Sequence, residues 1–289
     1  MQKVSVQGSD RSAQKSGKKT AATLNELNIV CYPQDGSAIA TCDWIVISSA
    51  IEESNPDLKQ AHKLGKIVLH RSELLKKISE RYKTIAISGT SGKSTTTSMV
   101  FEILKTLGLD PSIITGAALN SLKSHTHLGN AWCGSGEYLI IEADESDGSL
   151  IQYHPYIGVA LNLEKDHKEL SELKSLFETF KKQSKHFIVN TECPNLNYLQ
   201  TNPKNNFGFL EDNAIGISNI EQIDWGSTFT VNKTLDTRLP TPGIHNVENA
   251  AAALAVAQKI GVKLSDAVNA LQNYQGISRR HQLLTTHQS

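Results

Sequence analysis

The chain has 289 residues, which is room for about two domains. Its 29 Lys+Arg balance 29 Asp+Glu, so no net charge draws it to polyanions, and 39% apolar with 20% charged residues excludes wholesale disorder. No apolar run approaches the roughly 18 residues that a membrane helix needs, the first residues hold no signal-peptide core, and Cys31, Cys42, Cys133 and Cys193 form no CxxC pair. The expectation is a cytoplasmic α/β protein with no membrane or nucleic-acid partner, its cysteines buried as small apolar residues.

The elements read as follows. RSAQKSGKK, ending at Lys19, is an exposed loop. WIVISSAI at 44–51 is a buried strand, NPDLKQAHKLG a helix stopped by Gly65, and KIVLH at 66–70 a second strand. A boundary falls near residues 79–83. KTIAIS at 83–88 opens a second unit, followed by a helix over 94–107 with apolar residues at 99, 100, 103, 104 and 107. His125 and His127 lie in a surface loop. EYLIIE, YIGVALN and HFIVN, starting at Glu137, Tyr156 and His186, are continuous apolar runs, as in a parallel sheet buried on both faces. Leu173, Phe177 and Phe180 stripe a helix over 170–182. Residues 195–241 read as loops with short antiparallel strands (TFTVN, TRLP). Helices over 246–260 and 264–274 close the pattern. Strand–helix alternation predicts a mostly parallel sheet flanked by helices with right-handed crossovers.

The strongest chemical signal is IAISGTSGKSTTT, at 85–97. A strand runs into Gly89-Thr90-Ser91-Gly92-Lys93-Ser94-Thr95 and a helix follows. Glycines let backbone N–H groups converge, the helix N-terminus adds its dipole, Lys93 supplies a mobile charge for phosphates, and the Ser94 hydroxyl can ligate Mg²⁺. Thr95 caps the first turn or meets a phosphate. Ile87 stands where the general GxxxxGK[ST] pattern has its first glycine, so the tighter GTxGK[ST][ST] form is the one that fits.

Three polar clusters follow strands or turns. Glu142-Ala-Asp-Glu-Ser-Asp147 ends EYLIIE, where crowded carboxylates call for a cation or basic partner, or else form a solvated loop. Asn162-Leu-Glu-Lys-Asp-His167 can ligate a metal or orient a water, or Asp166 can cap a helix. Pro242-Gly-Ile-His-Asn-Val-Glu-Asn249 leads a turn into a helix, with His245, Asn246 and Asn249 as an ordinary cap or as contacts to a purine edge.

SGTSGKSTTT, EADESDGS, NLEKDH, PGIHNVENAAAALAVA and YQGISRRHQLL, in this order, resemble the Mur ligase family of ATP-dependent amide-bond ligases of peptidoglycan synthesis. VQGSD and VISSAIEESNPDL resemble the UDP-sugar domain of the branch that adds L-alanine to UDP-N-acetylmuramate. The resemblance implies ATP and Mg²⁺ as cofactors, and an acyl phosphate on the muramoyl carboxylate that the amino-acid amine attacks. It implies Lys93 on the transferring phosphate, Ser94 and Glu142 on one Mg²⁺, and His167 on a second, with Lys93, Glu142 and His167 the catalytic set. Gly89 to Thr95 would cradle phosphates, Asn246 and Asn249 would contact adenine, Arg280 a phosphate, and Ser48 and Ser49 the UDP-sugar.

On the same basis residues 1–80 correspond to part of a UDP-sugar-binding Rossmann-like domain, residues 81–278 to the central ATP-binding domain, and residues 279–289 to a linker stub. The resemblance places no counterpart here for the family's GIGG-type turn or its DDYAHHPT-like third domain. It thereby makes a separately encoded C-terminal domain a candidate partner and leaves the activity of the chain alone open. A murein-recycling peptide ligase and a non-catalytic nucleotide-binding remnant are the alternatives. Ser146, where a tyrosine is expected in the recycling branch, favours L-alanine.

Overall fold

A computed structural model describes residues 4–11, 24–124, 127–165, 169–200 and 202–280. The chain forms two compact units, residues 1–78 with 123–128 and residues 79–122 with 129–289.

The first unit holds two parallel strand pairs, β1 (Gln7–Ser9) with β2 (Val30–Tyr32), and β3 (Trp44–Ile47) with β4 (Ile67–His70). Helix α1 (Pro56–Lys63) starts where Asn55 accepts the Asp57 and Leu58 amides at 2.9 and 3.4 Å, with Pro56 pre-set for the first turn. Its buried Asp57 carboxylate accepts the Gly36 amide at 2.7 Å and the Ser9 hydroxyl, tying β1 to the helix. Helix α2 (Arg71–Ser79) follows β4 and is not foreseen by the sequence reading. The strand expected at 44–51 stops at Ile47, and it is not buried on both faces. Trp44, Val46 and Ile67 are about half exposed, at 50, 45 and 54%. Alternate side chains point to opposite faces of a strand, and among the described residues nothing covers the face that bears Trp44 and Val46.

The second unit is built on a ten-stranded sheet. Its strands are β5 (Lys83–Ser88), β6 (Ser112–Ile114), β7 (Ala131–Trp132), β8 (Tyr138–Glu142), β9 (Ile157–Ala160), β10 (His186–Asn190), β11 (Asn206–Gly208), β12 (Ile215–Ile223), β13 (Gly226–Val231) and β14 (Leu235–Leu239), in the order 14-13-12-11-10-9-5-8-6-7. Pairing is parallel from β12 to β6 and antiparallel at both ends. The expected TFTVN and TRLP strands are β13 and β14. The nine-residue β12 beside them has no counterpart among the expected strands, since its outer half is exposed and polar.

Helices α3 (Lys93–Thr106), α5 (Ile244–Lys259) and α6 (Leu264–Leu271) share one core with β5 and β8, including Phe101, Ile103, Ile85, Ile140, Leu254 and Leu271. Fully buried Ala250 to Ala253 explain the alanine run: small side chains let α5 lie close to α3. Helix α4 (Leu170–Gln183) buries Leu173, Phe177 and Phe180 as the stripe predicts. The last helix ends at Leu271, not 274. Tyr274 turns into the core, where its hydroxyl lies 2.7 Å from Ser98 Oγ.

None of the four cysteines is fully buried. Cys133 is exposed, and Cys42 and Cys193 use their sulfurs as acceptors for the Gln7 side-chain amide and the Leu163 N–H. A weak sulfur acceptor at a partly open position replaces the expected apolar filler. The RSAQKSGKK loop falls mostly outside the described residues, as does His125, and His127 is exposed. Among the described residues no helix is long and apolar enough to cross a membrane.

Candidate nucleotide site

Strand β5 lies between β8 and β9, and the chain leaves it toward β6 on one side and returns to β9 on the other. This is a topological switch point, where open α/β sheets bind ligands at the carboxyl ends of their strands. Register aligns Ile87 with Glu142 on β8 and Ser88 with Ala160 on β9. The acidic cluster and the NLEKDH segment therefore emerge on opposite flanks of the glycine loop.

Gly89 (φ 151°) and Gly92 (φ 84°) give the loop its positive φ angles. A side chain at Gly92 would also meet Asn249 Oδ1 at 2.4 Å, so the loop rests directly on α5. Asn249 Oδ1 accepts the Thr96 hydroxyl at 3.1 Å, bracing the first turn of α3. On the β9 flank, Asn162 Oδ1 accepts the Ser91 amide at 2.8 Å and its Nδ2 donates to Ser91 O at 3.1 Å. The Asn162 carbonyl accepts the Thr90 amide, and Thr90 Oγ1 accepts the Glu164 amide at 3.0 Å. Two loop amides thus point to Asn162 rather than into the loop's concavity, and a phosphate would draw them only by exchange.

The β8 flank carries charge. Glu142 accepts Ser94 Oγ at 3.0 Å, the Gly116 amide at 2.8 Å and the Thr115 hydroxyl. Lys93 Nζ donates to Gly89 O at 2.8 Å and reaches Glu145 Oε2 at 2.9 Å and Oε1 at 3.1 Å, with Asp144 at 3.8 Å. An ammonium has three N–H donors, and here protein oxygens take them all. Lys93 is thus the basic partner that the carboxylate cluster calls for. Burial pushes the Glu145 carboxyl above its ordinary value, against the opposing pull of Lys93. Asp144 and Asp147 instead hold their own turn, accepting Ser146 and Ser149 amides.

Asn246 donates to Pro242 O at 2.6 Å and to Thr241 Oγ1 at 3.2 Å. Beyond Thr95 a cavity of about 390 Å³ opens, with Asn246 and Arg280 on its wall.

The Mur ligase middle-domain model matches residues 87–257, and the model described as "Mur ligase family, catalytic domain" matches residues 1–83. The chain belongs to the Mur ligase family. It is 34% identical over 281 residues to a UDP-N-acetylmuramate–L-alanine ligase from Cyanothece sp., covering 90% of this chain and 57% of the relative. It is 36% identical over 272 residues to the enzyme of that name from Acidithiobacillus ferrooxidans, covering 87% and 57%. The chain thus spans just over half the length of these curated relatives. Two solved structures share its fold. A UDP-N-acetylmuramate–alanine ligase from Thermotoga maritima has TM-score 0.85 at 24% identity, covering 98% of this chain and 65% of that one. A UDP-N-acetylmuramate:L-alanyl-γ-D-glutamyl-meso-diaminopimelate ligase from Neisseria meningitides has TM-score 0.80 at 20% identity, covering 95% and 91%.

In this Mur ligase fold Lys93, Ser94, Thr95, Glu142 and Asn249 converge on the glycine loop, and Arg280 lines the neighbouring cavity. Ser48 and Ser49 follow β3 at its carboxyl end in the first unit. His167 and Asp166 lie outside the described residues. Sequence reasoning does not single out Glu145 or Thr115, and it offers Asn162 as a metal or water ligand, not as the residue that holds Ser91. Glu145 and Asn162 sit inside quoted motifs, but which atoms they hold depends on strand order.

Proposed function

We propose that this chain is an ATP-dependent ligase of the UDP-N-acetylmuramate–L-alanine type. The observation that carries the reading is Lys93 and Ser94 at the start of α3, facing the Glu142 carboxylate across the central strand pair. In the reaction, the γ-phosphoryl group of ATP passes to the muramoyl carboxylate, giving ADP and an acyl phosphate. The alanine amine attacks the acyl carbon, and the tetrahedral intermediate expels inorganic phosphate and leaves the amide. Such chemistry depends on positioning and on offsetting negative charge.

Lys93 would exchange the Glu145 carboxylate for phosphate oxygens. The backbone from Gly89 to Gly92 would enclose them, and Asn162 and Asn249 would hold that loop in shape. Mg²⁺ suits the Ser94–Glu142 pair. Both are hard oxygen donors, the kind Mg²⁺ takes, and they already lie side by side. When bound it would offset phosphate charge. His167 is the proposed ligand for a second ion. Asn246 and Asn249 are proposed on the adenine side, Arg280 on a phosphate, and Ser48 and Ser49 on the UDP-sugar. Residues 1–80 are proposed as the sugar-nucleotide domain and 81–278 as the ATP domain. The cytoplasm, where ATP and UDP-sugars occur together, is the proposed compartment.

Calorimetric titration with Mg²⁺-ATP tests the reading on the intact chain. Lys93→Ala is expected to lose measurable binding while keeping its far-ultraviolet circular dichroism. Unchanged affinity in that variant would overturn the assignment. Phosphate release that needs ATP, UDP-N-acetylmuramate and L-alanine together would identify the acceptor, and a preference for a preformed peptide would point to the recycling reaction instead.

A further inference from the structure

The cavity beyond Thr95 has one wall that the phosphate site does not explain. Trp225 stands there, half-buried, at the two-residue turn between β12 and β13. Neither turn residue is in the positive-φ conformation that restricts hairpin turns to Asn, Asp and Gly, so the turn takes a tryptophan without backbone strain and leaves its side chain on the cavity wall. The ring is no part of the hydrophobic core. Around the cavity it stands with polar Asn120, Asn246, Gln275 and Arg280 and with the smaller apolar Pro240 and Ile277, the latter only 2% exposed. Tyr274 is the other aromatic lining residue, but it is 5% exposed and its hydroxyl is held by Ser98. Trp225 therefore offers the cavity its broad apolar surface.

Position supplies the ligand. Thr95 lines the cavity and follows Ser94 and Lys93 by one and two residues, so the cavity borders the glycine loop. A volume of about 390 Å³ lies within the range of small-molecule sites and is ample for a nucleoside. A flat heteroaromatic base against an indole face buries apolar area and stacks favourably. We infer that Trp225 is the stacking platform for the nucleotide base, an inference that rests on the phosphate-loop reading above. Because every base has a π-face, stacking supplies affinity with little choice among purines. Trp225 would thus anchor ATP and GTP alike, and discrimination between them would fall to the polar wall.

The experiment compares ATP, GTP and inorganic tripolyphosphate, each with Mg²⁺, by calorimetry on the full chain and its variants. Trp225→Ala is expected to weaken ATP and GTP about tenfold each, in line with the loss of one stacking aromatic, and to leave tripolyphosphate affinity unchanged. Trp225→Phe is expected to stay within about threefold of wild type, since a smaller ring still stacks. Wild-type ATP affinity in Trp225→Ala would overturn the inference. So would an equal loss of ATP and tripolyphosphate, which would mean that the substitution disturbs the loop. If Lys93→Ala keeps both affinities, the phosphate-loop reading fails, and the inference fails with it.

Discussion

Gly92→Ala isolates the physical reason for the second loop glycine. At φ 84° an alanine is strained by about 1–2 kcal/mol. Its methyl would also sit 2.4 Å from Asn249 Oδ1 and 3.3 Å from Leu161 Cδ1. Asn249 must swing away, breaking its buried 3.1 Å bond from Thr96 and leaving polar atoms unpaired, at a cost of about 1–2 kcal/mol. The expected total is about 2–4 kcal/mol. Gly108→Ala is the control, because Gly108 has φ 77° and a methyl there would meet no heavy atom within 4 Å, so only backbone strain remains. Urea unfolding followed by circular dichroism should show Gly92→Ala less stable than Gly108→Ala by about 1–2 kcal/mol. Calorimetry should show it also losing nucleotide binding. Equal losses of stability in the two variants would refute the close approach of the loop to α5.

Glu145→Gln removes the charge that competes for Lys93 while keeping the side-chain shape. Releasing one charge-assisted contact is expected to tighten Mg²⁺-ATP binding by about 1 kcal/mol, roughly fivefold, and a weaker Kd would contradict that role. Glu102 is buried, accepting Ser121 Oγ at 2.8 Å and the Gln275 amide at 3.0 Å, and burial holds its pKa above the ordinary 4.5. Its folded form binds the proton more tightly than the unfolded chain does. The associated stability is therefore full below about pH 4.5 and is lost as pH rises through the folded value. Denaturation midpoints of wild type minus Glu102→Gln should fall across that window, and a flat difference would exclude a raised pKa.

Much of the chain is legible because local physics sets it. Continuous apolar runs predict β5, β8, β9 and β10, which parallel pairing buries on both faces. The 3.6-residue stripe finds α4, and the Asn-Pro start and Gly65 stop frame α1. The same reading fails for β3. A run of apolar residues does not say whether a second layer covers its far face, and Trp44 and Val46 lie exposed. It also misses β12, whose outer half is polar.

The site divides along the same line. The glycine loop, Lys93 and Ser94 are consecutive, so strand, turn and helix dipole can be read directly from their order. The partners of these residues come from 48 to 153 positions away: Glu142 to Ser94, Glu145 to Lys93, Asn162 to Ser91, and Asn249 to Thr96. Their residue types mark them as polar clusters, but spacing along the chain carries no information on which atoms meet. That is decided when β5 takes its place between β8 and β9 and the alanine face of α5 closes on α3. Consecutive residues were enough for the strand, glycine loop and helix, and ordered motifs were enough for the family. Tertiary packing alone turned the acidic cluster into one carboxylate for Ser94 and another for Lys93, because hydrogen bonds need atoms within about 3 Å, and only strand register and helix packing bring them there.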